Sequence, residues 1–195
     1  MKKLMLLVGM LLFVSNLASA QLDPDYNGLS VFFDAQTPVR CQMVPTGLKT
    51  VYLVATNLSQ VAGLSGWEGR VYCDNPAWMF LSATVHGNGP INILTPPDFM
   101  VGLYSPMESR PFMLLVSLQF FVQNLAPTPF RVGQCSYPST PGAPCYADGV
   151  DPGILVRFVS PAADWSLPVA WANSPDCNIV QIQDETWGGV KGMFK

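Results

Sequence analysis

The stretch FMLLVSLQFFVQ, residues 112–123, has the clearest strand pattern of the chain. Side chains alternate between the two faces of a β-strand, so every second residue shares a face. The pattern places these apolar residues together: Phe112, Leu114, Val116, Leu118, Phe120 and Val122. The opposite face contains Ser117, Gln119 and Gln123. One buried and one partly wet face is typical of an antiparallel sheet.

Short apolar or alternating runs bounded by Gly, Pro, Asn or Asp recur along almost the whole chain. They cover residues 29–33, 48–55, 67–73, 79–86, 91–94, 99–104, 130–132, 154–160, 169–172 and 179–183. After residue 20 no stretch sustains helical periodicity. About ten strands without crossover helices predict an all-β fold, an antiparallel two-sheet sandwich of the immunoglobulin-like kind.

The first 20 residues have the three regions of a signal peptide. Lys2 and Lys3 precede the apolar run 4–14, and the small residues 18–20 follow. We expect cleavage after Ala20 and a secreted, periplasmic or cell-surface protein. We also expect no transmembrane segment in the mature chain. The predicted organisation is therefore a signal peptide at 1–20, one sandwich domain at 21–183 and a C-terminal tail at 184–195.

The charge balance argues against a nucleic-acid partner. Without the two signal lysines, eight Lys and Arg stand against 13 Asp and Glu, a formal charge of −5. No basic run is present, so the electrostatic footprint of a nucleic-acid-binding protein is missing.

Five cysteines follow the signal, and export would place them where disulfides persist. Cys135 and Cys145 flank a stretch rich in Pro, Ser and Thr, and we expect them to form one pair. Cys41, Cys73 and Cys177 would then share one further disulfide and one free thiol, with the pairing open.

A calcium loop is one hypothesis for the N-terminal region. Asp23, Asp25 and Asn27 stand at loop positions one, three and five, Gly28 at six and Asp34 at twelve. This spacing matches an EF-hand loop. No helix is predicted on either side, so a polar turn before the first strand is the competing interpretation. No other cofactor is expected.

Exposed aromatic rings that stack on sugars are a second hypothesis. Trp165 and Trp171 lie near prolines in a loop-rich stretch and are the candidate ligand-binding residues. Tryptophans more often serve the core, which is the competing interpretation for each of them.

We predict no catalytic residues. His86 precedes the turn signature Gly87-Asn88-Gly89, and no nucleophile elbow is present. Carboxylates for glycoside hydrolysis would come from Glu68, Asp74, Asp98 or Glu108, and their spacing brings no two together.

Two parts of the sequence resemble cohesin-type sandwiches. They are the opening region, with residues 51–57, 61–68 and 71–85, and the pair of strands in 112–132. This resemblance implies a cohesin-like sandwich. No partner-contact motif is matched, so it implies no calcium or partner residues.

The chain also resembles small exported bacterial proteins of unknown function. The similar segments are 30–34, 95–99, 101–103, 146–149, 151–153 and the ending at 185–191, which contains W-G-G-V-K, with Phe194 and Lys195. This resemblance implies a bacterial exported context. The tail is then either a frayed terminus or a sorting tag.

These observations favour a secreted or surface-associated, non-enzymatic binding or structural module. The expected partner is a protein or a glycan at the cell surface. The alternatives are a carbohydrate-binding module and a secreted hydrolase.

Overall fold

The computed structural model describes residues 26–178. The predicted signal peptide, Asp23 and Asp25, the predicted strand at 179–183 and the tail lie outside these residues.

Twelve strands and one short 3₁₀ helix form the described part of the chain. They are β1 Gly28–Phe32, β2 Cys41–Gln42, β3 Gly47–Thr56, β4 Leu64–Cys73, β5 Trp78–Val85, β6 Ile91–Asn92, β7 Asp98–Met107, β8 Phe112–Val122, β9 Thr128–Gly133, β10 Cys145–Asp148, β11 Leu155–Arg157, β12 Ala170–Ala172 and the helix Pro175–Asn178. Every strand predicted within residues 26–178 is present. The sequence prediction missed β2 and β10, which are short and lie next to Pro-rich segments.

The strands form two sheets, which confirms the predicted sandwich. A four-stranded sheet has the order β1-β3-β8-β5. In an eight-stranded sheet, pairing runs β11-β10-β4-β9-β12-β2, and β7 pairs with both β4 and β6. The named strands pair antiparallel except β12 and β2, which are parallel. These two strands are far apart in sequence, so no hairpin dictates their direction.

The core lies between the sheets. Leu53 and Leu118 from the small sheet and Val71 and Phe130 from the large sheet are almost fully buried. Trp78 contacts the ring of Phe130 at a centroid distance of 5.2 Å. Burial of such side chains contributes roughly 1.5–3 kcal/mol each before ordering costs.

The predicted inner face of β8 is right for only one half of the strand. From Val116 onward, every second residue is buried as expected. Before that point Met113 and Leu115 are buried, whereas Leu114 is only partly buried. The pairing with β3 shifts between Leu53 and Val54. A β-bulge of this kind adds a residue and reverses the alternation, which a strict period of two does not foresee.

The strand β4 lies at the centre of the large sheet and has partners along both of its edges. Glu68 pairs with Met100 of β7 and with Cys145 of β10. Arg70 also pairs with β7, and its other partner is Gly133 of β9. Each strand has two edges, so β7 lies along one edge of β4 while β9 and β10 lie end to end along the other.

The cysteines differ in part from the expectation. Cys41 and Cys177 form a disulfide, which confirms one bridge within the predicted set of three. Cys73, Cys135 and Cys145 are thiols. The expected bond between Cys135 and Cys145 is not formed in this structure, where the Cys145 Sγ atom instead lies 3.3 Å from Glu68 Oε1.

Candidate functional site

The outer surface of the large sheet contains an apolar depression, which we call the trough. Residues directly opposite each other on neighbouring strands share a face of the sheet. One such row crosses five strands from β6 to β11. It consists of Ile91, Gly102, Gly66, Ala147 and Leu155. The three middle positions have hydrogen or methyl side chains and the two outer positions have large ones, so the row has a low floor between two walls.

The row faces away from the core. Trp67 and Val101, the neighbours of Gly66 and Gly102 on β4 and β7, pair with each other and are buried in the core. Alternation therefore turns both glycines outward.

The walls of the trough are exposed apolar side chains. On one side stand Ile91, Ile93 and Tyr104, which are 68%, 69% and 91% exposed. On the other side stand Leu155 and Pro152. The depression has a volume of about 720 Å³, which is within the range of about 300–1,000 Å³ typical of ligand sites.

The two floor glycines differ in what surrounds them. A Cβ atom on Gly66 would lie 2.7 Å from the carbonyl oxygen of Val101, which is closer than real Cβ contacts. A Cβ atom on Gly102 would meet nothing within 4 Å. Gly66 is thus required by the close approach of the backbone, whereas Gly102 leaves open space above the floor.

One end of the trough is closed by residues 134–144, which we call the clamp loop. Glu68, only 3% exposed, accepts hydrogen bonds from Ser139 N–H at 2.9 Å and from Ser139 Oγ at 2.8 Å. Asp98 accepts hydrogen bonds from Ser136 N–H and Ser136 Oγ. These two carboxylates therefore anchor the loop, and Glu68 adds no free charge to the trough.

The structure does not bring the described calcium candidates together. Asn27 precedes β1 and Asp34 follows it, so an extended strand separates them. Asn27 Oδ1 accepts hydrogen bonds from Ser59 N–H and Tyr146 OH, each at 2.7 Å. Asp34 Oδ1 accepts hydrogen bonds from two backbone N–H groups of its own turn, and these lower the pKa of Asp34. Each side chain therefore stabilises a separate local structure.

The two candidate tryptophans do not form a common platform of exposed rings. Trp165 packs against the core with part of its surface. Trp171, on β12, is 37% exposed. A stacking site on these residues would depend on Trp171.

His86 lies on the other sheet. Its Nε2 atom is 2.8 Å from Ser117 Oγ. Within residues 26–178, no carboxylate hydrogen-bonds the imidazole, so the third member of a catalytic triad is missing from the described residues. Burial lowers the pKa of His86.

The trough was not foreseen from the sequence. Its floor residues are far apart along the chain, and only the strand register makes them neighbours. The available signal is Gly102 inside the predicted strand 99–104 and Gly66 directly before the predicted strand 67–73, since glycine in a strand marks a bulge or a close backbone approach.

Comparison with known proteins does not place the chain in a family. No protein-family model matches the chain, and no curated protein matches its sequence. Among solved structures, the seventh type I cohesin of ScaB from Pseudobacteroides cellulosolvens is similar with a TM-score of 0.46 and 9% identity, over 70% of this chain and 87% of that one.

Within residues 26–178, no helix has the length and apolar character needed to cross a membrane.

Proposed function

We propose that the chain is an exported, non-enzymatic binding module that holds an apolar face of a partner protein in the trough. The observation that carries this proposal is the row of Gly102, Gly66 and Ala147 between Ile91 and Leu155. A sheet face that contacts only water would not need a floor of hydrogen and methyl side chains next to highly exposed isoleucines.

The shape and chemistry of the trough favour an amphipathic helix of the partner. Neighbouring strands lie about 4.8 Å apart, so the wall strands β6 and β11 are about 19 Å apart across the row. A helix with its side chains is about 10–12 Å across and fits between side chains at that spacing. Glycine on the floor allows the helix to approach closely. The lining is apolar and its carboxylate Glu68 is occupied by Ser139, which favours an apolar over a charged partner face.

A glycan remains the competing ligand. Sugar-binding surfaces use exposed aromatic rings, and Tyr26, Phe121 and Tyr137 are exposed away from the trough. The sequence-predicted Trp171 and the trough residue Tyr104 are two further exposed rings. They lie on different strands, β12 and β7, and the apolar side chains of Ile91 and Ile93 beside Tyr104 offer no hydrogen bonds to sugar hydroxyls. The apolar trough therefore supports a protein partner better.

The test is a selection of displayed amphipathic helical peptides on the purified protein, followed by affinity measurements on three variants. Gly102→Leu fills the trough, and its Cβ atom would meet no atom within 4 Å. We expect selected peptides with apolar residues at helical spacing to lose at least about tenfold in affinity, about 1.4 kcal/mol, on this change. Gln119→Leu, on the outer face of the small sheet, is the matched control and should leave the affinity unchanged.

Two outcomes would contradict the proposal. One is that no helical peptide is enriched more strongly on the wild-type protein than on the Gly102→Leu variant. The other is that a glycan array binds the wild type and the Gly102→Leu variant equally while Trp171→Ala, the third variant, abolishes binding.

A further inference from the structure

The clamp loop leaves and rejoins the same edge of β4. Gly133, at the end of β9, pairs with Arg70, and Cys145, at the start of β10, pairs with Glu68. Glu68 and Arg70 are two positions apart, which is about 7 Å along a strand. The eleven residues from 134 to 144 therefore begin and end at a narrow neck.

Cys135 and Cys145 stand on the two sides of this neck. If β9 continued in register for two more residues, Cys135 would occupy the position opposite Glu68 that Cys145 holds. The chain therefore leaves β9 and enters β10 near the same position of β4, and the two cysteines flank that point. A disulfide needs a Cα–Cα separation of about 4.4–6.8 Å. Both side chains are buried.

The electrostatics agree with this closeness. Burial is the largest cause that raises the pKa of both thiols, to about 12 for Cys145, and the charge of Glu68 raises both further. The charge of Cys135 also raises the pKa of Cys145, so the two sulfurs lie within electrostatic reach. Both groups are protonated near neutral pH, and such thiols react slowly in the folded protein.

We propose that Cys135 and Cys145 are the site of a second disulfide, which closes the neck of the clamp loop. It forms while the chain folds, when the thiols are accessible, by exchange with a disulfide oxidant. One thiolate attacks the oxidant and releases its first thiol. The second thiolate then attacks the mixed disulfide and releases the other, so two protein thiols become one disulfide and the oxidant gains two electrons and two protons.

The remaining cysteine has a different environment. Cys73 lies at the end of β4 and packs against the core, and burial raises its pKa to about 11. Cys41 and Cys177 are already joined. The proposal therefore leaves Cys73 as the single thiol and accounts for the odd number of cysteines.

Closing the neck would hold the clamp loop independently of Glu68. Ser139, which hydrogen-bonds Glu68 and lines the end of the trough, lies within the closed loop. The oxidised protein would thus keep one end of the trough in place. This inference concerns the neck alone and holds whether or not the trough binds a helix.

Peptide mapping of the full chain refolded in a glutathione redox buffer tests the proposal. The tryptic peptide 132–157 contains Cys135 and Cys145 and no other cysteine. We expect this peptide to resist alkylation under denaturing, non-reducing conditions and to be lighter by two hydrogen atoms than after reduction. Cys73, in the peptide 71–131, should be alkylated in the same sample.

Thermal melting gives an independent measurement. Closing an eleven-residue loop stabilises by about 2–3 kcal/mol, which for a domain of this size corresponds to a Tm shift of about 5–10 °C. Cys135→Ala should therefore melt lower than a Cys73→Ala control without reductant, and the difference should largely vanish with reductant. The proposal is overturned if peptide 132–157 takes up two alkyl groups, or if either of its cysteines is found joined to Cys73.

Discussion

The two sheets of the sandwich turn different surfaces outward. On the four-stranded sheet, Thr50, Gln119 and Ser82 form one outward row across three strands, and Ser82 Oγ donates to Gln119 Oε1 at 3.1 Å. The next polar contact joins His86 and Ser117. On the eight-stranded sheet, the comparable row has Gly102, Gly66 and Ala147 at its centre.

This difference favours the large sheet as the interaction surface. Polar side chains on the small sheet hydrogen-bond one another. Its exposed apolar residues Leu48, Phe121 and Met79 stand side by side on three strands and make a ridge. The large sheet has walls around an empty floor, and an exposed apolar depression is typical of an interaction site. Substitutions on the two sheets test this contrast.

The largest expected effect on stability comes from comparing a buried residue of the small sheet with its exposed neighbour on the same strand. Leu118 is fully buried and the adjacent Gln119 is exposed. Leu118→Asp removes roughly 1.5–3 kcal/mol of apolar burial and buries a charge that costs several kcal/mol more. The total is comparable to a typical free energy of unfolding of about 5–15 kcal/mol.

We therefore expect Leu118→Asp to give no cooperative thermal transition by circular dichroism. Gln119→Asp, its control, should melt within a few degrees of the wild type. A Leu118→Asp protein that melts like its parent would contradict the assigned faces of β8.

The second prediction concerns the floor of the trough. Gly66→Ala forces a methyl group against Val101 O and should lower the free energy of unfolding by about 1–3 kcal/mol. Gly102→Ala meets open space and should be neutral or stabilise by up to about 1 kcal/mol, because alanine restricts the unfolded chain. Urea denaturation of the two variants measures the difference. Equal losses would mean that β4 and β7 do not approach each other closely at Gly66.

The third prediction compares buried and exposed polar contacts. Glu68→Ala removes the acceptor of Ser139 N–H and Ser139 Oγ and should destabilise by about 1–2 kcal/mol, with faster hydrogen exchange at the Ser139 amide. Ser82→Ala, on the exposed polar row, should change the stability by less than about 0.5 kcal/mol. An unchanged exchange rate at Ser139 in the Glu68→Ala protein would show that the clamp loop is held by other contacts.

The fold was predictable because most strands have a local signal. Residues 112–123 alternate, and glycine or proline bounds the other runs, so the sandwich follows from patterns within single segments. The prediction of which β8 residues face the core was wrong before Val116. The bulge there depends on pairing with β3, which is not a local property. The sequence prediction missed β10 because its four residues, Cys145–Asp148, are too few to show a period.

The trough was not predictable for the same reason. Gly66 and Gly102 are neighbours only through the register of β4 and β7, and single-segment patterns do not determine that register. The candidate residues that the sequence did suggest, Asn27, Asp34 and Trp165, serve turns and the core in the structure. A spacing motif identifies residue types, but the intervening strand decides whether they meet.

The smallest expected effect is the pH dependence of the free energy of unfolding that comes from His86 on the small sheet. His86 is the single histidine of the chain, and burial lowers its pKa from the ordinary value of 6.5. Between these two pKa values the unfolded chain binds the proton more strongly than the folded protein, so the free energy of unfolding rises with pH. This contribution is complete above the unfolded pKa, near 6.5, and is lost as the pH falls through the lower, folded pKa.

Urea midpoints measured from pH 7.5 down to pH 5 should therefore decline gently for the wild type, while the His86→Gln variant should lack this step. Ser117→Ala keeps the imidazole and loses its hydrogen-bond partner, so it separates burial from the contact as the origin of the shift. Since burial causes the shift, the step should persist in Ser117→Ala. If the profiles of the wild type and His86→Gln coincide, the imidazole is as solvated in the folded protein as in the unfolded chain. The outer face of the small sheet would then offer His86 no burial.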